Sequence, residues 1–181
     1  MPTPTRRGAP VYEGCFVRFD RATPTPSREH IDPGRLTIAL QLDPQSKGDF
    51  EALELSLLDC AGAGHGPVRD LGWRQVTLDP TWRSTSLRLG ADTDAQEVAR
   101  GPLAAGAYQR VFAAVDSAFG ITSTGERVKL NAHVEPITRP FQLPTGGSQS
   151  VRIVLTVQPR PAFMGGGWNL FVREAVLATS R

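Results

Sequence analysis

Three histidines are the first residues to weigh for chemistry, because an imidazole binds metal ions and transfers protons near neutral pH. His30 and His65 lie in polar stretches rich in proline or glycine, and His133 lies on the polar side of an alternating stretch. Zinc sites usually take Cys or His ligands about two to four residues apart, and no pair of these histidines has that spacing. The sequence therefore predicts no metal site and no cofactor.

Familiar catalytic motifs are also missing from the sequence. There is no Gly-x-Ser-x-Gly nucleophile motif, and the glycine runs lie between predicted strands rather than before helices, as nucleotide-binding motifs require. Residues 92–97 begin like a calcium loop but lack its central glycine and its distant glutamate, so a solvated acidic turn is expected there. We expect a protein that is not an enzyme. The enzymatic alternative would need a site assembled from scattered Asp, Glu and His.

Tryptophans offer a binding chemistry, since exposed indole rings stack on the faces of sugars. Trp82 follows an Asp-Pro-Thr turn and Trp168 follows three glycines, so these two are the candidate ligand-binding residues. The alternative is that both rings pack in or against the core, as tryptophans commonly do.

Cys15 and Cys60 form the only cysteine pair in the sequence. A disulfide between them would tie the first strand to the third and stabilise the fold by roughly 4 kcal/mol in the chain-entropy model. Two buried reduced cysteines are the alternative, because no secretory signal is visible.

The charge and hydropathy of the chain limit the classes of partner that it is expected to bind. The 20 basic and 18 acidic side chains give a net charge of only +2, which argues against a dedicated nucleic-acid binder. No run approaches the ~20 apolar residues of a membrane span. The N-terminus lacks the apolar core of a signal peptide, so the chain is either cytoplasmic or a mature form without its leader.

Alternating apolar residues dominate the chain and indicate an all-β fold. About eight to ten short strands without a helical period predict an antiparallel β-sandwich of the prealbumin or immunoglobulin type. A single helical turn is expected within residues 92–100. Residues 1–10, rich in Pro and Thr, predict a flexible arm, and residues 11–181 predict one sandwich domain.

Residues 103–157 form the organising segment of this predicted domain. Residues 107–115 have apolar side chains on both faces, which predicts a strand buried on both sides. Within this segment, Gly106 permits a backbone conformation or a close approach that a side chain would block. Tyr108 is expected to lay its ring on the core while its hydroxyl bonds a neighbouring loop.

Three stretches carry a resemblance to known proteins: Leu-Thr-Ile-Ala-Leu-Gln-Leu-Asp-Pro at 36–44, Gly-Trp-Arg-Gln-Val at 72–76 and Leu-Ala-Ala-Gly-Ala-Tyr-Gln-Arg-Val at 103–111. They resemble a family of bacterial envelope and lipoprotein domains that has no assigned activity. Members of that family look like prealbumin-type or carboxypeptidase-regulatory-type sandwiches. The chain departs from the family pattern where Pro44 directly follows Asp43.

The resemblance implies a periplasmic or cell-surface module that binds or scaffolds a protein or polysaccharide of the envelope. A carbohydrate-binding module using Trp82 and Trp168 is the alternative. Edge strands of such a sandwich also pair readily with another subunit, which would make a homo-oligomer or a structural component of a surface assembly.

Overall fold

The structure is a computed structural model that describes residues 11–13, 16–18, 32–46, 50–64, 73–90 and 94–178. For residues 11–13, 16–18, 59, 60, 83 and 84 it describes the backbone alone. The predicted arm at residues 1–10 lies outside the described residues.

Within the described ranges the chain forms strands, one short helix and two 3-10 turns, which confirms the all-β prediction. The helix, α1, is Thr81–Ser84, and the 3-10 turns are Pro44–Ser46 and Ala162–Met164. The strands are β1 (Val11–Glu13), β2 (Phe16–Arg18), β3 (Gly34–Leu42), β4 (Phe50–Gly64), β5 (Arg74–Val76), β6 (Leu87–Gly90), β7 (Gln96–Leu103), β8 (Gly106–Thr122), β9 (Arg127–His133), β10 (Ile137–Leu143), β11 (Ser148–Pro159) and β12 (Trp168–Ala178).

Ten of these strands belong to one sheet, whose hydrogen-bonded order is β5-β4-β8-β9-β12-β11-β3-β7. β6 pairs with β4, and β10 pairs with the first part of β8, while β1 and β2 pair with each other. The long strand β8 therefore carries β4 along one edge and shares its other edge between β9 and β10.

The sheet is mixed, and the prediction of an antiparallel sandwich is wrong in this respect. β3 runs parallel to β11 along eight residue pairs, and β12 runs parallel to β9 along three. Side chains alternate with period two in both kinds of ladder, so the sequence pattern did not reveal the direction of each partner.

The two ends of the strand order meet, so that the sheet is nearly closed and barrel-like. An isolated bridge joins Leu78, just after β5, to Ala99 of β7. On either side of it, the Asp79 amide donates to the Val98 carbonyl at 2.8 Å and the Arg100 amide donates to the Thr77 carbonyl at 2.9 Å. Closure of this kind removes the exposed backbone edges that an open sheet would present there.

The enclosed core is largely aliphatic and follows the predicted alternation. Leu36, Ile38 and Leu40 of β3 are fully buried, as are Leu53 and Leu55 of β4. β11 adds its own alternate residues to the same cluster: Val151, Ile153 and Leu155. Alternation thus identified the inward faces of these strands correctly, although it did not give their pairing.

Burial on both faces, predicted for residues 107–115, is confirmed for residues 111–114 of β8, whereas Ala107 and Gln109 are exposed. Val111 and Ala113 join the main core, whereas Phe112 and Ala114 pack with Trp73 in a second cluster on the opposite face. The rings of Trp73 and Phe112 meet edge to face with centroids 6.3 Å apart. Residues 111–114 therefore lie between two layers of apolar side chains.

Tyr108 has the structural role predicted for it. Its ring is buried and stacks on Phe141 at 5.4 Å between centroids, and its hydroxyl donates to the Ala104 carbonyl at 2.8 Å. Burial raises the pKa of the Tyr108 phenol above its ordinary value of 10.0. Gly106 has φ +145°, a backbone conformation that would be strained for a residue with a side chain.

The predicted helical turn at residues 92–100 is wrong, because residues 96–103 form β7 and pair with β3. Burial of Val98 and Ala99 in the sheet outweighs the helix preference of the Ala, Gln and Glu around them. The helical turn occurs instead at α1, whose Thr81 amide donates to the Asp79 carboxylate at 2.9 Å. That hydrogen bond lowers the pKa of Asp79 below its ordinary value of 3.8.

The 3-10 turn after β3 is fastened to the neighbouring strands. Asp43, which is buried, accepts a hydrogen bond from Arg173 of β12 at 2.5 Å and donates its amide to the Leu155 carbonyl at 2.7 Å. The Ser46 hydroxyl oxygen accepts the Val157 amide at 2.6 Å. These contacts fix the end of β3 against β11 and β12.

Candidate functional site

Trp82, one of the two predicted ligand-binding residues, is half-buried at α1. Its indole N–H donates to the Glu97 carbonyl of β7 at 3.1 Å, and its ring packs against the main core. The residue therefore attaches α1 to the sheet. Trp82 as a ligand contact stays a prediction, and any ligand would meet only the exposed part of its ring.

Trp168, the other predicted ligand-binding residue, begins β12 and is also half-buried. Its ring meets that of Phe50 edge to face, with centroids 5.0 Å apart and planes at 76°. It packs against the main core as well. The two tryptophans lie on separate elements, α1 and β12, and each is held by contacts within the domain.

The predicted cysteine pair is only partly placed by the structure. Cys15 lies outside the described residues, and only the backbone of Cys60, within β4, is described. The disulfide therefore stays a prediction. His30 and His65 also lie outside the described ranges, whereas His133 is the exposed last residue of β9, on the polar face where the alternation predicted it.

The surroundings of His133 are created by the short parallel pair of β9 and β12. Asn169 lies beside Asn131 in this pair, and Phe171 lies beside His133. Leu170 between them on β12 belongs to the core, so alternation directs these four side chains to the outer face of the sheet. The rings of His133 and Phe171 stack, with centroids 5.5 Å apart and planes at 19°.

Two adjoining cavities open on this outer face, and His133 lines both of them. The larger measures about 550 Å³ and the smaller about 410 Å³. We call them together the His133 groove. The larger is lined by His133, Glu135, Pro136, Ile137, Thr138, Phe171 and Val172, and the smaller by Asn131, Ala132, His133, Arg160, Met164 and Asn169.

The larger cavity lies where the sheet lacks a ladder. β10 pairs with β8, and β12 pairs with β11 and, at its start, with β9; no pairing joins β10 to β12 within the described part of the chain. The chain leaves β9 at His133 and enters β10 at Ile137, and Val172 of β12 lies across from that crossing. A cleft with an apolar wall results.

Polar and charged groups are distributed unevenly along the groove. The carbonyl oxygen of the Asn169 side chain is buried and accepts no hydrogen bond from the described protein atoms. A buried amide oxygen without a donor is costly to the folded state. Glu135 lines the larger cavity and Arg160 lines the smaller, which gives the two ends of the groove opposite charge.

An apolar loop borders the smaller cavity. Residues 160–167, which we call the Phe163 loop, join β11 to β12 and expose Phe163 by 85% and Met164 by 54%. Backbone hydrogen bonds close the loop, from Met164 to Pro161 at 2.9 Å and from Arg160 to Gly167 at 2.8 Å. The three glycines at 165–167 all have positive φ, a conformation that other residues rarely adopt.

The groove carries several groups that can take part in binding. Across the described ranges, no three His, Cys, Asp or Glu side chains lie close enough to hold a metal ion. The groove offers one imidazole, one carboxylate, one guanidinium and two amides around an aromatic pair. These groups suit hydrogen bonding and apolar contact with a partner.

Most residues of the groove were not predicted from the sequence to lie together. His133 was correctly placed on the polar side of a strand, but its partner Phe171 is 38 positions away and meets it through an unpredicted parallel pair. The Phe163 loop could have been recognised in the sequence as an apolar loop. Phe163 and Met164 stand between Pro161 and three glycines, where polar turn residues would otherwise be expected.

Comparison with known proteins finds no protein-family model, no curated protein and no solved structure that matches this chain. The resemblance to the envelope-domain family therefore stays a prediction. Among the described residues, no helix combines the length and the apolar character that crossing a membrane requires.

Proposed function

We propose that this chain is a non-catalytic binding domain that holds a segment of another protein in the His133 groove. The observation that carries the proposal is the combination of an apolar cleft, an aromatic pair and a strongly exposed apolar loop on one face. Protein interfaces commonly have such an apolar centre with aromatic side chains and a charged rim. Glu135 and Arg160 supply that rim here.

The geometry of the groove favours an extended chain segment as the occupant. The two cavities follow one another past His133, so a segment would contact Phe171 and Ile137 in one and Asn131 and Asn169 in the other. Backbone N–H and C=O groups of a bound segment would hydrogen-bond with the amide side chains that line the smaller cavity. Apolar side chains of the segment would enter the larger cavity.

Selection of a displayed library of random peptides on the purified domain tests this proposal. We expect enriched peptides that bind the wild-type domain and bind His133→Ala and Phe171→Ala at least tenfold more weakly. The control is Arg88→Ala, which removes an exposed side chain from β6, a strand on the far side of β4 from β8 in the sheet. Peptides that bind all three variants as tightly as the wild type would contradict the proposal.

A carbohydrate is the second candidate ligand, favoured by the adjacent amides of Asn131 and Asn169. Sugar hydroxyls both donate and accept hydrogen bonds, so they would match two neighbouring amide side chains. Titration of soluble bacterial polysaccharide fragments into the wild type and Asn169→Ala separates the candidates. Suppose that the wild type binds the fragments, that Asn169→Ala does not, and that no peptide is enriched. This result would favour a sugar over a protein segment as the ligand.

The proposal also places the domain in the bacterial periplasm or on the cell surface. Its support is the resemblance at residues 36–44, 72–76 and 103–111, and the count of two cysteines, which fits one disulfide in an oxidising compartment. Fractionation of cells that express the natural gene from its own start tests the location. Recovery of the protein only from the cytoplasm would contradict it.

A further inference from the structure

The surface around His133 carries both a projecting apolar loop and an apolar cleft. We propose that a second copy of this chain occupies the groove, in a two-fold exchange in which the Phe163 loop of each copy enters the larger cavity of the other. This inference rests on the proposed function, since it names the protein that the groove holds. The following observations lead to it.

The Phe163 loop has the properties of an inserting element. Phe163 and Met164 are the two most exposed of the large apolar side chains in the described residues, at 85% and 54%. The loop that carries them is closed by backbone hydrogen bonds, so these side chains are presented from a fixed backbone. A preformed loop loses less conformational freedom on binding than a loose one.

The larger cavity has the properties of a receiving site. At about 550 Å³ it has the size of a small-ligand pocket, and Ile137, Phe171 and Val172 give it apolar walls. Phe163 and Met164 together offer an aromatic ring and a flexible thioether, and both side chains pack well against such walls.

The position of the two features implies a closed pair rather than a growing chain. Met164 and His133 line the smaller cavity, and His133 also lines the larger one, so loop and cleft are neighbours on the same face. When a projection and its receiving site adjoin, two copies facing each other satisfy both contacts at once about a two-fold axis. The axis would pass close to His133.

Charge complementarity supports the same arrangement. Arg160 begins the Phe163 loop, and the sequence has no acidic residue from position 159 to 173. Glu135 lines the cleft that the loop would enter. In the exchanged pair, Arg160 of each copy approaches Glu135 of the other, so the interface contains two matched charge contacts.

Sedimentation velocity over a wide concentration range tests the proposal first. We expect the wild type to form a reversible species of twice the monomer mass. Phe163→Ser should weaken this association at least tenfold without unfolding the domain, because the side chain is almost fully exposed. Leu58→Ser is the matched control: it removes another exposed apolar side chain, from β4, and should leave the association unchanged.

Charge exchange tests the two-fold geometry. Glu135→Arg alone and Arg160→Glu alone each place like charges in both contacts and should be monomeric. A mixture of these two variants should form a mixed dimer, because each contact then joins opposite charges. The variant carrying both substitutions should also regain the dimer. A mixture that stays monomeric, or species larger than a dimer, would overturn the two-fold exchange.

The failure of this inference is distinguishable from failure of the proposed function. A wild-type protein that remains monomeric at every concentration, while displayed peptides still bind its groove, overturns the exchange and leaves a different protein as the occupant. Equal weakening by Phe163→Ser and Leu58→Ser would overturn it as well. If the wild-type domain, held at concentrations below its self-association, enriches no groove-binding peptide, that result would instead count against the proposed function.

Discussion

His133 stacks on Phe171 across the parallel pair of β9 and β12, with ring centroids 5.5 Å apart. The contact lies on the outer face, and His133 lines both the cleft that contains Glu135 and the cavity that contains Arg160. Neither ring belongs to the buried core. Aromatic side chains stacked on an exposed sheet face are available to a partner, and this is why we propose a binding surface here.

Arg173→Ala should lower the free energy of unfolding by about 1–2 kcal/mol. It leaves the Asp43 carboxylate, whose side chain is only 6% exposed, without its cation. Arg100→Ala is the matched control, because Arg100 and Glu97 form an ion pair at the surface, and it should change stability by less than about 0.5 kcal/mol. Urea unfolding measures both. Equal losses of unfolding free energy in the two variants would show that the Asp43 contact stabilises the domain no more than a surface ion pair does.

Gly62→Ala should destabilise the domain by roughly 2 kcal/mol or more. An added Cβ would lie 2.2 Å from the Arg74 carbonyl oxygen, a backbone atom of the adjacent strand β5 that cannot move aside without breaking the pairing. Gly101→Ala on β7 is the control, since its nearest neighbour would be 3.3 Å away. Thermal unfolding of the two variants should differ clearly. Similar midpoints would contradict the close packing of β4 on β5.

Tyr108→Phe should cost about 1 kcal/mol, because it removes the hydroxyl that donates to the Ala104 carbonyl. Urea unfolding of this variant checks that loss, and wild-type stability would contradict a contribution from the hydrogen bond.

The raised pKa of Tyr108 adds a dependence on pH. The folded state keeps the phenol protonated above pH 10.0, where the unfolded state has begun to lose its proton. Its contribution to stability is therefore complete below pH 10.0 and is lost as the pH rises through the folded-state pKa. Absorbance titration should show one phenol that ionises late, and that late step should vanish in Tyr108→Phe. Its persistence would assign the late step to Tyr12.

Trp168→Ala should lower the free energy of unfolding by about 2–3 kcal/mol, because the indole packs against Phe50 and the main core. Trp168→Phe should recover part of that loss by refilling the space. Guanidinium unfolding provides the comparison. A Trp168→Ala variant as stable as the wild type would contradict this packing role of the ring.

The sequence predicted the strands better than it predicted their arrangement. The alternation at residues 36–42 correctly assigned Leu36, Ile38 and Leu40 to one buried face, and Asp43-Pro44 correctly marked the end of β3. Alternation of apolar residues predicts which side chains of a strand point into the core, but it does not predict which strand lies beside it. The parallel pairing of β3 with β11, more than 100 positions later, therefore went unpredicted.

The same limit applies to the candidate site. Trp82 and Trp168 were predicted as ligand-binding residues from their residue type, yet both have partners within the domain. The groove takes its character from residues of ordinary type, such as Asn131 and Asn169, which become adjacent through the pairing of β9 with β12. Only the three-dimensional arrangement brings those two amides and the His133–Phe171 stack together.

The most direct test of the proposed binding surface is an NMR map of backbone amide shifts as a selected peptide is titrated into the labelled domain. Spectra of the wild type at several protein concentrations are recorded first, so that shifts caused by self-association are recognised. The amides expected to shift are those of residues 131–138 and 168–172, with those around Arg88 unchanged. Shifts concentrated around Trp82 and α1, with residues 131–138 unaffected, would contradict the assignment of the His133 groove as the binding site.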